Sequence, residues 1–377
     1  MSQQTTIAVL GDGGWGTALS ILLHNKGHHV RLWSPFPEYA EVLNEKRENV
    51  KYLPGIPIPE DLFITSDIAE SFAAAEVVIF VTPSHHLREV CVRAKPFIRP
   101  EAIRLTAENA EDAEAGSGSG EAVREGRLSA TSVVAKGAGR QTLVSATKGL
   151  EEDTLLRMSQ VIEEVLGHVG VAVLSGPTLA REVATGHPTA ATVSSRCPSV
   201  ARAVQSLLTA QHFRLYTSPD IIGVELGGAL KNVIAIAAGI IDGLGLGANT
   251  KSALLTRGLA EMARLGVAMG ADRSTFFGLS GLGDLFTTAV SDLSRNHTFG
   301  CQVGRGVPVK EAQSSTEMVI EGIRTANAAV QLALRHNVEM PIATEVYHVL
   351  YKGKHPRDAI ATLMARPPKP ELGEELE

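Results

Sequence analysis

Apolar and polar positions change rhythm near residue 218. Before it, short apolar runs recur at 7–10, 30–33, 77–81, 143–146, 171–174, 189–193 and 213–216, each bounded by glycine, proline or small polar residues. Runs of this length, β-branched and without polar alternation, predict strands buried on both faces, as in a mostly parallel sheet. Helical patterns at 17–23 and from 86 to Lys95 fall between them, so the first part reads as alternating βα units. After Ser218-Pro219 the strand signals stop. Helical periodicity runs over 220–242, 252–266, 316–335 and 342–351, with the glycine-rich stretches 243–247 and 278–283 read as loops. The pattern predicts an α/β Rossmann-type N-terminal domain at 1–217 and an all-α C-terminal domain at 218–366, with a disordered tail at 367–377.

The stretch 101–139 interrupts this rhythm. It is rich in Ala, Glu, Gly and Ser and has Gly116-Ser-Gly-Ser-Gly120 at its centre. Its length and polarity predict a disordered surface insertion between two strands.

The first apolar run meets Gly11-Asp-Gly-Gly-Trp-Gly16 and then a helical pattern. Strand, glycine turn, helix and strand in that order form a dinucleotide-binding unit. Gly11 permits the turn, Gly13 lets a pyrophosphate approach the main chain, and Gly16 lets the helix pack on the strand. The helix N-terminus then offers free N–H groups to the phosphates. After the second strand the chain reads Trp33-Ser-Pro-Phe-Pro37, without the acid that usually holds a ribose hydroxyl or the arginine that takes a 2′-phosphate. The choice between NAD and NADP stays open on these residues.

Composition narrows the functional classes. The chain has 377 residues, 44% hydrophobic and 20% charged, which suits two soluble domains. A formal net charge of -6 gives no reason to expect nucleic acid. There is no signal-like N-terminus, and the uncharged run 234–241 is too short for a membrane span. Cys91, Cys197 and Cys301 are odd in number and far apart, which suits a reducing compartment. No local metal-ligand spacing occurs, and the pair His85-His86 reads as a loop feature.

Lys231 is the most informative single residue. It lies in Glu225-Leu-Gly-Gly-Ala-Leu-Lys-Asn232, followed by nine uncharged residues. Burial there would lower its pKa and make it a base near neutral pH. Taken alone, it would more often be a lysine whose stem lies on apolar surface while its head reaches water; the rest of the chain reverses that weighting. Other polar groups stand at punctuated places: Lys148 and Thr178 at strand ends, then Asn232, Asp284, Thr288 and Ser294-Arg295-Asn296. Such a set could grip a phosphorylated small molecule and move a proton. Asp284 could orient a lysine or simply cap a helix, and Arg295-Asn296 could be an ordinary helix start.

With these segments in order, the chain resembles the NAD(P)-dependent glycerol-3-phosphate dehydrogenase family. The resemblance rests on Gly11-Asp-Gly-Gly-Trp-Gly-Thr-Ala-Leu19, Tyr52-Leu-Pro-Gly-Ile56, Thr147-Lys-Gly-Leu150, Ser175-Gly-Pro-Thr-Leu-Ala-Arg-Glu-Val183, the Lys231 segment, Gly278-Leu-Ser-Gly-Leu-Gly-Asp284, Ser294-Arg-Asn296 and Glu321-Gly322. It implies reversible oxidation of sn-glycerol 3-phosphate to dihydroxyacetone phosphate with NAD or NADP. Lys231 would be the proton acceptor. Lys148, Gly176, Thr178, Asn232, Asp284, Thr288, Ser294, Arg295 and Asn296 would contact substrate. Gly11, Gly13, Gly14, Trp15, Gly16, Lys148, Ala180, Arg295 and Glu321 would contact cofactor. The resemblance further implies a cytoplasmic homodimer serving phospholipid synthesis. The 101–139 insertion and Ser34-Pro-Phe36 depart from the family pattern. Two other readings remain: a non-catalytic dinucleotide sensor on this scaffold, and a 3-hydroxy acid dehydrogenase of similar architecture.

Overall fold

The computed structural model describes residues 4–99, 141–167 and 170–371. The expected disorder at 101–139, and most of that at 367–377, falls outside them.

Eight strands form one sheet in the order β3-β2-β1-β4-β5-β6-β7-β8. They are β1 (Thr6–Leu10), β2 (His29–Trp33), β3 (Phe63–Thr65), β4 (Val77–Phe80), β5 (Thr142–Ser145), β6 (Val171–Ser175), β7 (Thr189–Ser195) and β8 (Phe213–Ser218). All neighbours pair in parallel except β6 and β7. Every residue of β4, β5 and β6 is buried, as continuous apolar runs require when helices cover both faces. Ile7, Val9, Val30 and Leu32 pack on one face, and Ala8, Leu10, Trp33 and Phe80 on the other. The covering helices are α1 (Gly14–Asn25), α2 (Pro37–Lys46), α3 (Ile68–Ser71), α4 (Leu87–Ala94), α5 (Met158–Leu166), α6 (Ala180–Ala184) and α7 (Pro198–Leu208).

The strand order turns back between β1 and β4, and the crevice at their carboxyl ends is where such sheets take ligands. Each sequence-predicted strand forms within a residue or two of its expected bounds. The exception is β3, which the reading missed; three residues between Leu62 and Ser66 carry too little pattern.

The second half is helical: α8 (Ile221–Gly243), α9 (Gly247–Ala268), α10 (Asp284–Val290), α11 (Arg295–Gly304), α12 (Val309–Ser314), α13 (Glu321–Arg335), α14 (Pro341–Lys352) and α15 (Pro356–Met364). Nearly every residue of α8 is buried, and the other helices wrap it through one apolar core. Among the described residues α8 alone is long and apolar enough to cross a membrane, although its longest uncharged run looked too short. It lies inside the protein, with 94% of its most apolar window buried. The stretch 278–283, read as a loop, coils instead into a wide helical turn that delivers Asp284. Two features join α8 to the sheet half, one at the end of β6 and one at the start of α5. Gly228 fits against Ser175, where an added Cβ would lie 2.4 Å from the hydroxyl. The buried Arg157 pairs with the buried Glu225, whose carboxylate also accepts the main-chain and side-chain protons of Ser159 at 2.7 Å each.

Candidate active site

Consecutive residues build the first half of the site. Gly11 ends β1 at φ +131°, and a Cβ there would meet the Val81 carbonyl oxygen at 2.7 Å. At Gly16 a Cβ would sit 1.9 Å from the Gly11 oxygen, so α1 can approach β1 only through glycine. Nothing lies within 4 Å of a Cβ at Gly13, which leaves the main chain of the loop open. No side chain caps α1. An open glycine turn leading into an uncapped helix N-terminus fits a pyrophosphate. Trp15 turns its ring away to pack on Phe213, with centroids 6.3 Å apart, so its main chain is what it offers the loop. Ala180 stands opposite, its Cβ 3.7 Å from a Cβ placed on Gly14.

At the edge of this loop Asp12 is buried and accepts the Ser34 hydroxyl at 2.6 Å. Burial raises its pKa, while Ser34, its own main chain and Lys51 act the other way. The loop Thr82-Pro-Ser84 follows β4. There Glu321, from the start of α13, accepts the Ser84 main-chain N–H at 3.0 Å and its hydroxyl at 2.6 Å. The Thr82 hydroxyl is buried without a partner among the described residues. Burial lowers the His85 pKa to about 4, assisted by His86 and Arg324, so His85 is neutral beside the crevice.

Residues far apart in sequence build the second half. Asp284 is 2% exposed. Its Oδ2 accepts Lys148 Nζ at 2.6 Å, and its Oδ1 accepts Lys231 Nζ at 2.9 Å. Lys148 follows β5 and also donates to the Gly176 carbonyl at 2.7 Å and, at 3.4 Å, to the Thr178 hydroxyl. Lys231, on α8, also donates to the Thr288 hydroxyl at 2.6 Å, and that hydroxyl lies 3.2 Å from Asp284 Oδ1. Burial pulls the Lys231 pKa down to about 8; Asp284 opposes the shift, and Lys148 and Arg295 add to it. Burial would raise the Asp284 pKa, but the two ammonium groups outweigh it and hold the carboxyl below its usual range. The carboxylate keeps both lysines oriented, while burial and the neighbouring cations let Lys231 lose its proton near pH 8 in spite of it.

Arg295 and Asn296 lie at the start of α11, which Ser294 caps by accepting the His297 N–H at 3.2 Å. They are therefore a helix start, and a buried one at Asn296. Arg295 opens to solvent while donating to the Val319 carbonyl at 3.0 Å. The burial of its guanidinium among neighbouring groups lowers its pKa, with Glu321 opposing. The Asn296 amide donates to Asn232 Oδ1 and accepts the Gly322 N–H, each at 2.9 Å. Asn232 and Asn296 thus brace one another between α8, α11 and α13.

The sequence reading missed several contributors. Ser84 was visible only as part of a strand-end loop, Ser34 only as a missing acid, and Arg157 not at all. A cluster in the helical half was likewise unsignalled by local spacing. Asp242, His297 and Cys301 hold ligand-type atoms within 4.8 Å of one another, and Lys251 pairs with the same Asp242 oxygen that His297 meets.

The fold and the lysine–aspartate cluster set the context for comparison with known proteins. A family model described as NAD-dependent glycerol-3-phosphate dehydrogenase N-terminus matches residues 6–108 and 123–201, and its C-terminus counterpart matches 220–361. The chain belongs to this family. It is 45% identical over 363 residues to glycerol-3-phosphate dehydrogenase [NAD(P)+] of Citrifermentans bemidjiense, covering 96% of this chain and 97% of the relative. The protein of the same name from Geobacter sp. (strain M21) is 44% identical with the same coverage. The crystal structure of glycerol-3-phosphate dehydrogenase from Coxiella burnetii superposes with a TM-score of 0.82 at 37% identity, covering 96% of this chain and 99% of that one. Family membership thus spans both the sheet half and the helical half.

Proposed function

We infer that the protein is an NAD(P)-dependent glycerol-3-phosphate dehydrogenase, interconverting sn-glycerol 3-phosphate and dihydroxyacetone phosphate. The observation that carries this reading is the convergence of Lys148 and Lys231 on Asp284 beside the strand ends. The nicotinamide supplies the hydride acceptor. Gly11, Gly13, Gly14, Trp15, Gly16 and Ala180 would hold the dinucleotide, with Glu321 fixing the wall at Ser84. Lys231, neutral once the pH exceeds about 8, would take the proton of the substrate hydroxyl. Lys148 would lie against the oxygen on which negative charge develops, through a donor already aligned by Gly176 and Asp284. Thr288 and Asp284 keep the Lys231 ammonium in one place, which cuts the orientational cost of the transfer. Arg295, with solvent-facing donors, is the candidate phosphate grip, and Gly176, Thr178, Asn232, Ser294 and Asn296 would shape the pocket around it.

A division of labour between a nucleotide-binding part at 1–217 and a substrate-binding part at 218–366 belongs to the same proposal. So do a homodimer, a cytoplasmic location and a role in phospholipid synthesis. A non-catalytic sensor would have no use for paired lysines on one buried carboxylate. The test is an absorbance assay with dihydroxyacetone phosphate and NADH or NADPH. Oxidation of either nucleotide that depends on this substrate supports the assignment; no turnover with either refutes it.

A further inference from the structure

The adenosine ribose in a sheet of this kind is expected at the carboxyl end of the second strand, where an acid usually receives its hydroxyls. This chain has Ser34 there, followed by Pro35 and Phe36. The structure brings a carboxylate to that place from elsewhere. β1 and β2 are neighbours in register, with Leu10 opposite Trp33, so the residues just beyond the two strand ends meet. Asp12 lies two residues past β1 and Ser34 one residue past β2. The fully buried Ser34 donates its hydroxyl to Asp12 Oδ2 at 2.6 Å. The main chain of Asp12 is held as well. Its carbonyl accepts Asn49 Nδ2 at 2.7 Å and the Thr17 hydroxyl at 3.2 Å, and Asn49 is itself fixed by the Tyr39 hydroxyl at 2.7 Å.

We propose that Asp12, steadied by Ser34, is the acid that reads the adenosine ribose, and that it makes the enzyme select NADH over NADPH. The proposal rests on the dehydrogenase reading above and adds the cofactor choice. A ribose diol can donate to a fixed carboxylate. A 2′-phosphate cannot, and it would bring about two further negative charges against it. Segment 33–37 contains no cation to offset them. Among the described residues Lys51 is the one cation whose field lowers the Asp12 pKa, and it is paired with Glu317 at 2.6 Å. The Asp12–Ser34 bond could instead serve only to fasten the glycine loop to β2. In that case its loss would weaken both nucleotides alike.

Titration of the full chain with NADH and with NADPH, followed by nucleotide fluorescence without substrate, separates these roles. The wild type should bind NADH at least about tenfold tighter than NADPH, the scale on which one unfavourable charge contact discriminates. Asp12→Asn should bring that ratio close to one, chiefly by improving NADPH. Ser34→Ala should narrow it less, and it carries the test if the first variant fails to fold by circular dichroism. A wild-type ratio at or below one overturns the proposal. So does an unchanged ratio in whichever variants fold, including a loss of affinity shared equally by both nucleotides. Binding of neither nucleotide to the wild type would overturn the dehydrogenase reading itself, and this inference with it.

Discussion

The two ends of the crevice are built in opposite ways. At the nucleotide end, Gly11, Gly13 and Gly16 act through main-chain shape, and their decisive property is the absence of side chains. At the other end, Lys148, Lys231 and Asp284 act through charge, and the contact between Lys148 and Asp284 spans 136 positions of sequence. The glycine end tolerates no added atom at Gly11 or Gly16. The other tolerates no lost charge, because removing one member strands the others in a dry place.

Four experiments would break or sharpen this contrast. The largest effect is expected at the charged end. Lys231→Ala should lower kcat by about 10²-fold or more, the scale of a lost general base, while NADH affinity stays within about twofold. Stopped assays and fluorescence titration check both halves of that statement, and wild-type turnover would remove Lys231 from the mechanism. At the glycine end, Gly16→Ala would force a Cβ to within 1.9 Å of the Gly11 oxygen. About 1–3 kcal/mol of overpacking strain should appear as a lower melting temperature together with weakened nucleotide binding. A variant as stable as the wild type, with normal affinity, would mean that the loop is less tightly constrained than its geometry implies.

Arg295→Ala lies between these extremes. It should raise KM for the phosphorylated substrate by about tenfold, the worth of one charge-assisted contact, with little effect on the KM for NADH. An unchanged substrate KM would move phosphate recognition elsewhere. The smallest effect is a slope. The folded pKa of Lys231 lies near 8, lowered from 10.5. Its neutral fraction therefore grows as pH rises through about 8. Alcohol oxidation needs the neutral amine, so kcat/KM should climb from pH 7 to 9. Ketone reduction needs the protonated amine and should decline over the same window. Profiles that run in parallel would rule out Lys231 as the shared acid and base.

The same contrast explains what the sequence could tell. Strands such as Val77–Phe80 and the long helix Ile221–Gly243 were legible because burial on all sides leaves unbroken apolar runs. The glycine loop was legible because its six positions are consecutive. Spacing alone offered no route from Lys231 to Lys148, since nothing along the chain records that α8 and the end of β5 meet; the pairing entered through family resemblance. The 278–283 stretch misled because glycines usually mark loops. Here Gly281 packs where a Cβ would meet the Phe276 oxygen at 2.1 Å, so its smallness permits a tight coil rather than a flexible link. Ser34 misled in the other direction. The missing acid left the nucleotide choice open, while the structure sets Asp12, from the neighbouring strand end, against the Ser34 hydroxyl.

The shared aspartate also imposes an order of events on synthesis. Lys148 leaves the ribosome long before residue 284 exists, and Lys231 has to wait for it as well. Until Asp284 has been made and the helical half has closed around it, the nascent polypeptide holds two separate amines. The paired-lysine arrangement is thus a late-born property, acquired only when both halves have closed on a single carboxylate.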